Sequence, residues 1–338
     1  MTQLTLCMPS NRDLRHSAGA IETALIYADK RDCRLVVSDN SGDPQKRAHY
    51  ENSHPRLTYV VPDGDSGLQN MAYALSKVET PFLMPMGDDD EIYGLDDKQP
   101  IDLSNLPDDV AGVRPQTFVW TNDKGVQQTD RFSITAEDAG GRLLEYNGKA
   151  NGNNGLYYSI YRSDLFKGLF SLFSQAHPTR GGYCDWALSF ALCAAGKFLA
   201  DASTIYRYDL GRWASRGSLE EAKTSLYRQA GLPDTAEHFS ALLRFIDVHI
   251  FLTALPLAET ERRNAQTANA RLALRTFLHE VTKAPDQYDA EVIYLAELTG
   301  QTPDLDTAFQ ISLLMIDRLQ DGLAEKYVQF AKAANGAA

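Results

Sequence analysis

Asp88, Asp89 and Asp90 follow one another in a Gly-Asp-Asp-Asp-Glu turn, just after the apolar run Phe82-Leu83-Met84-Pro85-Met86. Three adjacent carboxylates repel one another unless a cation or water screens them. Hard divalent cations such as Mg²⁺ or Mn²⁺ take oxygen ligands and share a few protein carboxylates with substrate phosphates. The cluster therefore suggests a metal-diphosphate site, and a solvated acidic turn is the alternative that it leaves open. Further on, Asp185 stands at the head of a helical pattern, Gly181-Gly182-Tyr183-Cys184-Asp185-Trp186. A carboxylate there favours the helix dipole. Arg207, Arg212 and Arg216 crowd one Gly- and aromatic-containing segment, 207–217. Arginine is a natural diphosphate clamp, and an ordinary linker has an equal claim to that segment.

The elements around these residues suggest how they are held. Leu4–Met8, Leu35–Val37, Leu57–Val61 and Phe82–Met86 read as strands. Helical patterns, 15–29 and 68–75, fall among them. Continuous apolar strands alternating with helices predict a parallel sheet covered on both faces. Ligands of such sheets bind beyond the carboxyl ends of the strands, where Asp39 and Asp88–Asp90 both fall. Residues 91–160 read as short strands, Val110–Arg114, Phe118–Thr121, Val126–Thr129 and Leu156–Tyr161, with a hairpin turn at Asn122-Asp123-Lys124-Gly125. Gly148–Gly155 reads as a loop, 183–196 as a helix and Phe198–Tyr206 as a strand. His177-Pro178 reads as a surface turn. From Ser218 the pattern is helical throughout, opening with a Ser218-x-x-Glu221 capping box. His249 lies on an apolar face and reads as a core histidine.

Length and composition bound the function. The 338 residues suggest two domains, placed here at 1–217 and 218–338. The formal net charge of −12 argues against a nucleic-acid partner. Cys7, Cys33, Cys184 and Cys193 show no metal-binding spacing and read as buried thiols in a reducing compartment. The sequence shows no secretion signal and no apolar run of membrane-spanning length, so the expected location is cytoplasmic. Peripheral membrane association stays open.

Four motifs now align. Met8-Pro9-Ser10-Asn11-Arg12 follows strand one, and Val37-Ser38-Asp39-Asn40-Ser41-Gly42-Asp43 closes strand two. Asn70 sits early in the next helix, and Gly87-Asp88-Asp89-Asp90 closes strand four. In order and spacing this set resembles the nucleotide-sugar-binding half of family 2 glycosyltransferases of the GT-A fold. The likeness covers about residues 1–215. It departs at Gln69, where an arginine is usual, and the three aspartates leave the Asp-x-Asp register open by one residue.

The resemblance implies an α/β fold, a Rossmann-like mixed sheet flanked by helices, with a C-terminal all-helical extension. It implies that Asp39 accepts from the base, that Pro9, Ser10 and Arg12 line the base and ribose pocket, and that Asn70 and Asp89 belong to the nucleotide site. Asp88 would face ribose or metal, Asp90 would hold Mn²⁺ or Mg²⁺, and Asp185 would be the base of an inverting transfer. The expected partners are a nucleoside-diphosphate sugar, most simply a UDP-sugar, and a glycan or glycoconjugate acceptor. The helical region could serve homo-oligomerisation, partner docking or acceptor binding. Two rival readings are a catalytically silent binding protein on a transferase fold and a sugar-nucleotide pyrophosphorylase. The second normally opens with a Gly-x-Gly-Thr-Arg loop where this chain has Pro9-Ser10-Asn11-Arg12.

Overall fold

The computed structural model describes residues 2–64, 66–121, 123–211 and 216–337, with 216–220, 222–223 and 337 described by backbone alone. The chain forms two compact units. One comprises 1–135, 155–174 and 197–214; the other comprises 136–154, 175–196 and 215–338. The chain thus passes between units several times.

The strands are β1 (Leu4–Ser10), β2 (Arg34–Asp39), β3 (Leu57–Val60), β4 (Phe82–Pro85), β5 (Glu91–Gly94), β6 (Val110–Thr121), β7 (Gly125–Asp130), β8 (Ile160–Arg162) and β9 (Lys197–Asp209). The early helices are α1 (Leu14–Arg31), α2 (Pro44–Tyr50), α3 (Gly67–Ser76), α4 (Ala139–Lys149), α5 (Ser163–Ala176), α6 (Asp185–Ala195) and α7 (Arg216–Gln229). They are followed by α8 (Ser240–Thr253), α9 (Glu259–Asn269), α10 (Arg275–Lys283), α11 (Ala290–Gln301), α12 (Leu305–Leu319) and α13 (Leu323–Ala337).

Among the described residues the nine strands form one mixed sheet in the order β3-β2-β1-β4-β8-β6-β9-β5, with β7 paired to β6. β1 to β4 are parallel, whereas β8 runs antiparallel to β4 and to β6. In β1 alternate residues point to opposite faces, yet Leu4, Leu6, Cys7 and Met8 are all buried, as a central strand covered on both faces requires. Leu6, Met8, Leu35, Val37 and Met84 pack with Ile21, Ala24 and Tyr27 of α1 into one core. Asp13 caps α1 by accepting from His16 N, and Asp43 caps α2, whose first residue is Pro44.

Several sequence expectations need correction. Pro115 does not split 110–121 into two strands: β6 runs through it, with a register shift between Pro115 and Gln116 that accommodates the missing N–H. The segment 207–209 is not loop, because β9 continues to Asp209 alongside β6. Leu156–Tyr161 is a 3₁₀ turn, Gly155–Tyr158, followed by the short β8. Helix α4 occupies part of a stretch read as strands and loop, and it includes Gly148 and Lys149. α7 begins at Arg216, two residues before the expected cap.

In the second unit α4 packs on α6 and α9, and α6 packs on α8. α8 is apolar on nearly every side, with Leu242, Phe245, Ile246, Phe251 and Leu252 all buried. A helix hydrophobic all round belongs at the centre of its bundle. Among the described residues no helix is long and apolar enough to cross a membrane.

Candidate active site

Strands β1, β2 and β4 are parallel neighbours, so their carboxyl ends open on the same edge. Three sequence-selected segments meet there. Asp88 Oδ2 accepts from Ser10 Oγ at 2.7 Å and from Asn11 N and Arg12 N at 3.1 Å each. Its Oδ1 accepts from Arg12 Nε at 3.2 Å. Asp88 thus ties the turn after β4 to the segment leaving β1. Arg12 also reaches Asp89 Oδ2 at 2.5 Å. Asn70, on α3, donates to Ser10 O and to Asn40 Oδ1, both at 3.0 Å.

Asp39 is buried at the end of β2, and its lone pairs are heavily used. Oδ1 accepts from Ser41 N and Lys46 Nζ; Oδ2 accepts from Ser41 Oγ and the Tyr59 hydroxyl. Lys46 is the residue that the sequence reading missed. It lies on α2, is fully buried, and donates to Ser10 Oγ at 2.5 Å, Arg12 O at 2.8 Å and Asp39 Oδ1 at 3.0 Å. One ammonium satisfies three acceptors on two segments, the exit of β1 and the end of β2, which is its full donor complement. An isolated lysine on a seven-residue helix carries no pattern that could have revealed it.

Asp90 is buried, 1 % exposed. Its Oδ2 accepts from the Tyr206 hydroxyl at 2.6 Å and its Oδ1 from Asp209 N at 2.8 Å, both on β9. Burial, reinforced by the neighbouring Asp89 charge, pushes its pKa up to about 8. Burial also raises Asp89, against the pull of Arg12. Asp209 adds a further negative charge facing both. Tyr206 stacks on Tyr158 at 4.9 Å between ring centres, which fixes the hydroxyl below the acidic turn. The only sequence signals for this arrangement were the alternating tyrosines of β9.

A divalent cation at this turn would take Asp90 as a ligand before Asp88. Asp88 is engaged by four donors from the β1 side, which disfavours it as a ligand. Asp90, whose proton burial and the neighbouring Asp89 and Asp209 charges retain, is the carboxyl that a cation would ionise. A Mg²⁺ or Mn²⁺ ion that takes its remaining ligands from phosphate and water needs no more than one or two such carboxylates.

Of the three arginines, Arg207 binds Glu91 at 2.6 Å and lies over the Trp120 ring at 4.1 Å. Those partners hold the guanidinium along the sheet. Arg212 lies outside the described residues, as does the Arg216 side chain. Pro9 lies in β1, paired with Ser38, one residue before the cluster.

Asp185, in the second unit, is the first residue of α6 and is half-buried. Its Oδ1 accepts from Trp186 N at 2.6 Å. Burial pushes its pKa up to about 6, while the Asn154 side chain works against that rise. Tyr146 places Asn154 by donating its hydroxyl to Asn154 Oδ1 at 2.9 Å. Trp186 leans against Tyr146 and Phe190, each 6.3 Å away between ring centres.

His177 is not in a surface turn. It is buried, 2 % exposed, with Cys184 and Asp247 around it. Its Nε2 lies 3.0 Å from Asp247 Oδ1 and 3.5 Å from Cys184 Sγ, a constellation that could hold a metal. The ring's other side decides the chemistry. Thr179 N and Arg180 N both donate to Nδ1, at 3.3 and 3.0 Å. The ring proton must therefore sit on Nε2 and point at Asp247, leaving no lone pair there for a metal. The cluster reads as a buried hydrogen-bonded tie between the segment before α6 and α8. All four cysteines are free and buried, as expected.

No family model matches this chain, and no curated protein sequence matches it either. Solved structures do match. The S. aureus TarS 1–349 structure aligns over 100 % of this chain and 92 % of that one, with a TM-score of 0.50 at 13 % identity. The same TarS fragment in complex with UDP aligns at a TM-score of 0.48 and 13 % identity, over the same shares. Its complex with UDP-GlcNAc aligns at 0.41 and 15 %, over 92 % of this chain and 90 % of that one. At such identities the likeness speaks for fold, and only the first alignment is close enough to do so. The fold is a GT-A-type mixed sheet flanked by helices, with a helical C-terminal region.

Proposed function

We propose that this chain is a glycosyltransferase of the family 2 type. It moves a hexose-type sugar from a nucleoside-diphosphate sugar, a UDP-sugar by preference, to a hydroxyl of a glycan or glycoconjugate in polysaccharide biosynthesis. The observation that carries this reading is the buried knot of Ser10, Lys46, Asp39 and Asp88. It locks together the carboxyl ends of three parallel strands, where a GT-A fold places its nucleotide. UDP and UDP-GlcNAc are named as ligands of TarS, and a UDP-sugar is the donor we carry over to this chain.

In this reading Pro9, Ser10, Arg12, Asp39 and Asn70 form the wall against base and ribose, and Asp90 holds the cation. A bound Mn²⁺ or Mg²⁺ neutralises charge on the departing diphosphate. Asp185 takes the proton from the acceptor hydroxyl as its oxygen bonds to the anomeric carbon and the bond to the diphosphate oxygen breaks. A pKa of about 6 leaves Asp185 ionised at neutral pH yet more basic than an ordinary carboxylate. Displacement from the far side of the ring inverts the anomeric centre. Arg207, Arg212 and Arg216 remain candidates for the diphosphate, Arg207 only after leaving Glu91.

Thermal unfolding with nucleoside diphosphates and their sugars, with and without Mn²⁺, tests the reading. One nucleotide should raise the melting temperature with the metal present, and Asp90→Asn should abolish the metal dependence. Absence of any shift, at concentrations far above millimolar, favours the silent binding protein and makes the aspartates an acidic turn.

A further inference from the structure

Arg244 lies on α8 with its guanidinium over the Phe190 ring of α6, 5.9 Å from the ring centre. That is near the outer limit of a cation–π contact. The residue is partly buried, yet among the described residues its guanidinium makes no hydrogen bond and no ion pair. Five N–H donors drawn out of water are costly unless acceptors replace that water. Arg142, in the same unit, shows how a structural arginine meets that cost: it donates to the carbonyls of Ala136, Glu137, Cys193 and Ala194. Arg244 has no such set. Its nitrogens are not sealed off, so a ligand can reach them.

The surroundings connect Arg244 to the candidate base. Phe190, Trp186 and Tyr146 form one aromatic cluster. Tyr146 acts on Arg244 electrostatically and donates to Asn154, whose side chain bonds Asp185. Arg244 and Asp185 thus border the same cluster, and all these residues belong to the second unit. Burial lowers the Arg244 pKa, against the pull of Tyr227, Glu280 and Tyr146. Glu280, on α10, is exposed and too far from Arg244 to pair with it.

This setting selects an anion. A planar cationic fork with spare donors matches the oxygens of phosphate, sulfate or carboxylate. Partial loss of water strengthens that attraction. The chain's net charge of −12 repels anions in general, so capture must be local.

We propose that Arg244 receives an anionic group of the acceptor, which is therefore a glycan bearing phosphate, sulfate or carboxylate. The proposal rests on the transferase reading, with Asp185 as base, and names the class of its acceptor. Arg244 positions the acceptor and takes no part in the proton transfer.

The test has two arms. In the first, the full chain is titrated calorimetrically, without divalent metal, with glycerol phosphate and glucuronic acid. Glycerol and glucose are the neutral counterparts. Saturable anion binding at roughly millimolar affinity is expected, weakened about tenfold or more in Arg244→Gln. Glu280→Gln removes a competing carboxylate and should tighten it about threefold. In the second arm, donor turnover is measured with oligosaccharides of uronic acids and of sugar phosphates. Their carboxyl-reduced and dephosphorylated forms are the neutral counterparts. Anionic acceptors should be preferred, and Arg244→Gln should raise their KM about tenfold while the donor KM stays unchanged.

Equal KM for charged and neutral acceptors, or an unchanged KM in Arg244→Gln, overturns this proposal alone. Anion binding with no preference among acceptors identifies a free ion and overturns it too. Failure of the wild type to bind or turn over any donor overturns the transferase reading, and the acceptor assignment with it. If Arg244→Gln melts early, Glu280→Gln decides, and unchanged anion binding there overturns the proposal.

Discussion

Lys46→Met is the sharpest perturbation of the donor-side knot. Methionine keeps much of the length of the side chain and removes the ammonium. Lys46 and Asp39 are 0 % and 3 % exposed at the side chain and 3.0 Å apart, so water cannot replace the lost partner. Asp39 would retain Ser41 and Tyr59 but lose the cation. Removing one member of a buried pair costs about 3–5 kcal/mol. Against the roughly 5–15 kcal/mol that holds a typical protein folded, that is a large fraction. Ser10 Oγ and Arg12 O lose a donor as well, so the nucleotide wall should loosen with the fold. The assay is urea unfolding of wild type, Lys46→Met, Asp39→Asn and the double variant. The double variant should be less destabilised than the sum of the singles, because neither charge is then stranded. A loss below about 1 kcal/mol for Lys46→Met, or additive singles, would refute the account, since that is the behaviour of a solvated surface pair.

Three further predictions concern the base, the metal and the sheet. Transfer should rise with pH through about 6 as Asp185 ionises, and Asp185→Asn should lower turnover about 10²–10⁴-fold while nucleotide binding persists. The same shift has a stability sign: a folded pKa above the unfolded value near 3.9 favours folding at low pH, an advantage lost as pH rises through about 6. Asp185→Asn should flatten that fall in a pH series of melts; an unchanged series would remove Asp185 as its source. Chelation should lower donor turnover and added Mn²⁺ should restore it; in Asp90→Asn the restoration should fail, and normal restoration there would place the cation elsewhere. Gly112→Ala should destabilise by about 1–3 kcal/mol or more, because its Cβ would clash with Ile160 O and meet the Phe198 ring at 2.7 Å; a normal melting curve would show that β6 and β8 can part without penalty.

The four-motif order of the first ninety residues needed no tertiary information, because each motif is a local strand end or helix start. Apolar runs bounded by Pro9, Pro62 and the acidic turn are short-range signals, and so are the caps at Asp13 and Asp43. The sequence therefore determined that Ser10, Asp39, Asn70 and Asp88–Asp90 stand at one sheet edge. It did not determine which lone pairs remain available there. That depends on partners in other elements: Tyr206 and Asp209, far along the chain, under Asp90, and Lys46 of α2 between Asp39 and Ser10. The same holds for His177. Its surroundings read as a surface turn, yet a hydrogen bond across seventy residues buries it against Asp247. His249 was legible as a core residue, but its partnerless nitrogen was not, because Phe309 of α12, close to the chain's end, packs against its ring. Periodicity and turn chemistry act over a few residues and so can be read in order. Burial, tautomer and the repulsion among carboxylates arise only when distant segments exclude water from one another, and those were decided by the tertiary structure.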